Sequence, residues 1–179
     1  MILGNSFKVS DLSMLPEAPE VEETGGTFLE NATLKALAIS GLAPGLVLAD
    51  DSGLEVDVLD GRPGVFSARF AGPDATDAAN NLKLIEELSG VPRDRRKARF
   101  RCVIVLARGG KALEQFEGTV EGHLLEAPRG ESGFGYDPLF VPDGYEQSLA
   151  ELGSVVKNAL SHRARAMEKV EGWLAKQED

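Results

Sequence analysis

Cysteine is almost absent from this chain: its 179 residues include one, Cys102. A single thiol cannot close an intramolecular disulfide, so the fold must rest on its apolar core, and the shortage argues weakly for a reducing compartment. Cys102 opens the run Cys102-Val-Ile-Val-Leu-Ala107 and reads there as a small core hydrophobe rather than a nucleophile. That run is also the longest uncharged apolar stretch, far short of the roughly 18 residues that a membrane span needs. Met1-Ile2-Leu3-Gly4 cannot form a signal peptide, so a cytoplasmic location with no membrane partner is expected. Positive charge is scarce too. Nineteen Lys and Arg stand against 29 Asp and Glu, a formal net charge of −10, which disfavours a nucleic-acid partner. Histidine occurs twice: His123 sits alone in a strand-like stretch, and His162 has no second ligand at helical spacing, so neither marks a metal site. No Gly-x-x-x-x-Gly-Lys-Ser/Thr string occurs, which sets aside a P-loop ATPase. Repeats, low-complexity tracts and linkers are missing as well.

What is present suits one globular unit covering residues 1–179, with 42% hydrophobic and 27% charged residues. Phe7–Ser10 reads as a short strand, followed by a Pro- and Glu-rich loop to Glu23. Thr27-Phe-Leu-Glu30 has capping-box spacing and opens a helix that runs to Ser40, with Gly41 behind it. Strands are expected at Leu46–Ala49 and, by alternation, at Leu54–Val58, with a turn at Leu59–Gly64. Leu82, Ile85 and Leu88 mark a helix from Asp77, and Arg93–Lys97 reads as a solvated basic loop. Phe100–Arg108 is a central strand, Gly109-Gly110 a tight hairpin turn, and Ala112–Leu125 one or two further strands. Glu126–Pro142 is a loop, and Ser161–Lys176 a helix with the stripe Ala164, Met167, Val170 and Leu174. The mixture gives an α/β class with a mixed twisted sheet flanked by helices.

The most informative segment is Leu46-Val-Leu-Ala-Asp50-Asp51-Ser52-Gly53, an apolar run ending in paired carboxylates. Hard oxygen donors at a strand end suit Mg²⁺ with its waters and a substrate's phosphates. A polar turn with an Asx cap is the plainer reading and the commoner one. Three other segments support the chemical reading: Thr24-Gly-Gly-Thr-Phe-Leu-Glu-Asn-Ala-Thr-Leu-Lys35-Ala36, Ser132-Gly-Phe-Gly-Tyr-Asp137-Pro138 and Lys157-Asn-Ala-Leu-Ser-His162-Arg163. Together, in this order, the four resemble the inosine-triphosphate pyrophosphatase family, across essentially the whole chain.

The resemblance implies an elongated two-lobed α/β domain with a central substrate cleft, and hydrolysis of ITP, dITP or XTP to the monophosphate and pyrophosphate. It implies Mg²⁺ as cofactor, a small-molecule nucleotide as partner, and a homodimer. It assigns Asp51 as metal ligand and proton acceptor. Asp50 would support the metal shell, although adjacent strand residues point to opposite sides unless a turn rotates one of them. Glu23 and Glu30 are both candidates for the remaining acidic ligand; Glu23 is favoured, because capping alone explains Glu30. Ser52 and Lys35 would contact phosphate or water. Phe134 would stack on the base, Gly135, Tyr136 and Asp137 would line its pocket, and Lys157, His162 and Arg163 would read the six-keto edge. Without the family, a Phe and Tyr in a Gly-rich loop would more often be core anchors.

The family also opens with a strand and a phosphate-binding loop, Ser/Thr-x-Asn-x-x-Lys, to which this sequence has no counterpart. Met1-Ile-Leu-Gly-Asn-Ser-Phe7 resembles the end of the following helix. A truncated product and a variant with a weaker phosphate grip both fit, and either would leave Lys35 with more of the phosphate contact. The competing readings are a nucleotide-binding relative without turnover and a house-cleaning pyrophosphatase for other modified nucleotides.

Overall fold

The computed structural model describes residues 9–177. Phe7 and Lys8 of the expected first strand lie outside these residues, as does the opening segment Met1–Phe7, while Val9 and Ser10 belong to no regular element. The helices are α1 (Phe28–Ser40), α2 (Asp77–Glu87), α3 (Leu149–Leu160) and α4 (His162–Leu174). The strands β1 (Val47–Val56), β2 (Lys97–Arg108), β3 (Lys111–Leu124) and β4 (Phe140–Pro142) form one sheet in the order β1-β2-β3-β4. The α/β class with a sheet flanked by helices is therefore the one observed.

Two compact units divide the described residues: 9–51, 102–118 and 163–177 belong to the first, and 52–101 with 119–162 to the second. In the first, the apolar run of β2 is buried on both faces, which explains why it does not alternate in polarity. Cys102, Ile104 and Leu106 pack with Ala166, Val170 and Leu174 of α4. Their neighbours Val105 and Ala107 pack with Ala32 and Ala36 of α1. The two-residue period of the strand thus feeds two helices at once. Gly109 and Gly110 turn β2 into β3 with φ of 56° and 75°, the left-handed pair that a tight hairpin needs.

In the second unit the inward residues are Leu54 and Val56 of β1, Ala98 and Phe100 of β2, and Val120 and Leu124 of β3. Leu84 and Leu88 from the α2 region, Tyr136, Leu139 and Phe140 complete that core. Here the strands do alternate: Arg99 pairs with Glu55, Asp57 and Glu121, and Arg101 with Glu55. β4 runs antiparallel to β3, with His123 opposite Val141. Gly122 is required there, since an added Cβ would lie 2.7 Å from the Phe140 ring.

Several expectations are corrected. Asp50-Asp51-Ser52-Gly53 is no turn; it is the middle of one continuous β1, because strand pairing and burial override the local turn chemistry. The loop Glu126–Pro142 ends in β4, and α3 emerges where no element was foreseen, although Ser148 and Glu151 form a capping box at its start. Gly153, at φ +75°, breaks α3. On α2, Leu82 is exposed and the buried face consists of Asn80, Asn81 and Leu84.

The basic segment 93–97 differs most in meaning. Arg95 is exposed, but Arg96 is buried, and its guanidinium donates to the carbonyls of Leu88, Val91 and Leu125 at 2.9, 2.9 and 3.2 Å. It ties the end of α2 to the end of β3, a role that composition alone hides. Replacing Arg96 with Met keeps the stem and removes three donors, so chemical denaturation should show a loss of about 2–4 kcal/mol. Arg95→Met should stay within about 0.5 kcal/mol.

Candidate active site

In the first unit a cluster of charged and polar side chains gathers around Asp51. As adjacent residues of an extended strand, Asp50 and Asp51 point to opposite faces. Asp51, 8% exposed, faces α1: its Oδ2 accepts from Asn31 Nδ2 at 2.9 Å, and its Oδ1 lies 3.8 Å from Lys35 Nζ. The same ammonium donates to Glu23 Oε1 at 2.7 Å. One cation therefore sits with two carboxylates, one from β1 and one from the loop before α1.

Local sequence explains how the cluster is built. Thr27 caps α1, and Glu30 Oε2 accepts from the Gly26 and Thr27 amides at 2.7 and 3.1 Å. Asn31 and Lys35 then follow one helical turn apart and share a face. Asn31 is fully buried; its Oδ1 accepts from Gly25 N at 2.8 Å while its amide donates to Asp51. Gly25 has no space for a side chain, since a Cβ would lie 2.6 Å from that of Glu30 and 2.7 Å from Asn31 Oδ1. The Gly-Gly-Thr string is thus a close approach of backbone to helix.

Asp50 has different partners. Its Oδ2 accepts from Arg163 Nε at 2.9 Å, and Cys102 Sγ donates to the same oxygen at 3.7 Å. Burial, then the neighbouring Asp50 charge, pushes the Cys102 thiol up to about 12, so it stays protonated and unreactive. The structure brings Glu23, Lys35 and Asp51 together and brings neither Asp50 nor Glu30 to that group. Ser52, the next residue of β1, is half-buried and begins the second unit.

Glu23 and Asp51 are the carboxylates of this group that a divalent cation could use. Among the described residues no three carboxylate, His or Cys side chains converge into a ready cage. Mg²⁺ does not require one, because it keeps several waters and takes one or two carboxylates plus phosphate oxygens. Glu23 and Asp51 already hold one cation, the Lys35 ammonium, and their hard oxygens fit that requirement.

In the second unit the motif loop 133–137 carries positive φ at Gly133, +86°, and Gly135, +60°. Asp137, 2% exposed, folds back under the loop, where its Oδ2 accepts from Phe134 N at 2.9 Å and from the Lys157 ammonium. Lys157 Nζ lies 3.8 Å from the Phe134 ring centroid. Phe134 is 60% exposed, an aromatic face offered to solvent with a cation on it. Tyr136 is instead a core residue, 3% exposed, whose hydroxyl donates to Ser67 O at 2.9 Å. Its phenol is pushed upward in pKa, first by burial and then by the charge of Asp77. His162 is buried and stacks on Phe100 with centroids 5.1 Å apart. Lys157 and His162 belong to the second unit and Arg163 to the first.

Asn31 is the residue that motif reading passed over. The signal was there: Phe28, Ala32, Ala36 and Ile39 make the buried stripe of α1, and Asn31 falls within it. An amide on an apolar stripe needs polar partners, which here are Gly25 and Asp51.

The Ham1 family model matches residues 1–173. A dITP/XTP pyrophosphatase from Bacillus licheniformis is 48% identical over 174 residues, covering 97% of this chain and 89% of the relative. Another protein of that name, from Desulforamulus reducens, is 52% identical over 163 residues, 91% of this chain and 81% of the relative. The solved structure of the Staphylococcus aureus Ham1 protein superposes with a TM-score of 0.91 at 39% identity, covering 98% of this chain and 91% of that one.

Asn31→Ala removes both the donor to Asp51 Oδ2 and the acceptor of the Gly25 N–H. It should lower the unfolding free energy by about 1–3 kcal/mol in denaturant titration. Thr33→Ala, on the same helix outside its buried stripe, should change it by less than about 0.5 kcal/mol.

Proposed function

The chain belongs to the Ham1 family, and from that premise we propose that it hydrolyses dITP, XTP and related non-standard purine nucleoside triphosphates. It is a nucleoside-triphosphate pyrophosphatase, releasing the monophosphate and pyrophosphate. The observation that carries the reading is the group Asn31, Lys35, Asp51 and Glu23, built on β1, α1 and the loop before α1, in a chain that is about half identical to curated dITP/XTP pyrophosphatases.

Hydrolysis between the α and β phosphates requires charge neutralisation, an oriented water and a base for its proton. Lys35 supplies fixed positive charge to a phosphate oxygen. Asp51 accepts the proton: its Oδ2 accepts from Asn31, and its Oδ1 faces the Lys35 ammonium that would also meet a phosphate oxygen. Glu23 and Asp51 would hold Mg²⁺, which when bound offsets triphosphate charge and acidifies a coordinated water. Glu30 keeps the helix entry in shape and Asp50 holds Arg163, so both act at a remove from the reacting atoms.

Base recognition falls to the second unit. Phe134 offers a flat face for a purine, and Lys157, anchored by Asp137, offers donors suited to a keto oxygen. Against the amino group of adenine such donors go unpaired, at roughly 1–3 kcal/mol each when buried. The proposal extends to a homodimeric, cytoplasmic enzyme. No helix among the described residues is long and apolar enough to cross a membrane.

Pyrophosphate release measured with Mg²⁺ should be selective for dITP and XTP over ATP, and chelation of the metal should stop it. Asp51→Asn should lower kcat by at least about 10²-fold, the scale of a lost general base. Equal release from ATP, or an unimpaired Asp51→Asn enzyme, would contradict the assignment.

A further inference from the structure

The exposed Phe134 sits on a loop whose glycines favour freedom, yet the loop is gripped from two sides. Inside, Asp137 accepts the Phe134 amide, and its carboxylate fills the space that a Cβ on Gly133 would need. Outside, two residues of α2 hold the peptide groups of Gly135. Its N–H donates to Asp77 Oδ2 at 2.6 Å, and its carbonyl accepts from Asn81 Nδ2 at 2.8 Å. Asp77 and Asn81 are four residues apart at the start of α2 and so lie on one face of the helix. Asn81 is 7% exposed; its amide also donates to Asp77 O at 2.7 Å, while its Oδ1 has no hydrogen-bond partner among the described residues. A buried carbonyl left unpaired is unfavourable, so the residue is present for its two N–H groups.

We infer that Asp77 and Asn81 are positioning residues for the nucleobase: by clamping Gly135 they present the Phe134 ring and the Lys157 ammonium as one preformed surface. This inference rests on the proposal that Phe134 is the base platform. The pair touches no substrate and acts through one glycine. Gly135 needs the clamp because, at φ +60° and without a Cβ to restrict it, the free loop would sample many conformations, and each would move the ring. Fixing the ring before binding removes that ordering cost from recognition. The role is therefore one of affinity for the base, separate from turnover in the Asp51 group.

The test is steady-state kinetics with dITP and XTP on Asn81→Asp, Asp77→Ala, Phe134→Ala and the Phe134→Ala/Asn81→Asp double variant, with thermal melting of each. Asn81→Asp sets a carboxylate against two carbonyl oxygens, and Asp77→Ala removes the acceptor. Each should raise KM about tenfold, the scale of one lost charged hydrogen bond, with kcat within about twofold. In the Phe134→Ala background, Asn81→Asp should raise KM no further. A purely structural role would lower kcat along with the melting temperature and act equally in both backgrounds, and that result would overturn the clamp. An unchanged KM in Asn81→Asp beside a raised one in Phe134→Ala would also overturn it. An unchanged KM in Phe134→Ala would remove the platform itself, and the inference with it.

Discussion

The polar cluster of the first unit, and the chemistry proposed for it, depend on one buried amide. Asn31 joins the Gly25 backbone, helix α1 and the Asp51 carboxylate, and each of its two polar groups has a partner. A carboxylate that is 8% exposed would be costly without such bonds. Once it is held, Lys35 one turn further along α1 comes within reach of Asp51 and Glu23 together. Removing the amide would take from the buried Asp51 carboxylate the bond that ties its Oδ2 to α1.

The scaffold serves this arrangement through the different wrapping of its strands. In the first unit β2 is packed by α1 on one face and α4 on the other, so the strands and helix that carry Asp51, Asn31 and Lys35 rest on a dry layer. In the second unit one face is apolar and the other carries the Arg99 and Arg101 ion pairs. Its loop 133–137 is held by polar bonds to Asp77, Asn81 and Asp137, which fix direction more sharply than apolar contact does. Phe134 can then stand exposed without becoming loose.

Much of this was legible in the sequence, because the signals were local. The capping box at Thr27, the double glycine at 109–110, the run Cys102–Ala107 and the stripe of α4 each have a short-range cause, and each marks a real element. The reading failed where distant partners decide. Asp50–Gly53 has turn chemistry but lies in a strand, since pairing and burial outweigh it. Arg96 looks like part of a solvated basic run, and only the carbonyls of Leu88 and Leu125 reveal it as a buried tie. Tyr136 resembles a pocket residue beside Phe134, but the chain turns it into the core towards Ser67. Asn81 carries no motif at all; its meaning comes from a glycine 54 positions away.

The central claim is that Asn31 acts on the chemistry through Asp51 and not through stability alone. A double-mutant cycle on kcat for dITP hydrolysis, with Asn31→Ala, Asp51→Asn and both together, tests it most directly. The account predicts that Asn31→Ala lowers kcat in the native background and has almost no further effect once Asp51 is Asn. Independent losses that multiply in the double variant would contradict it.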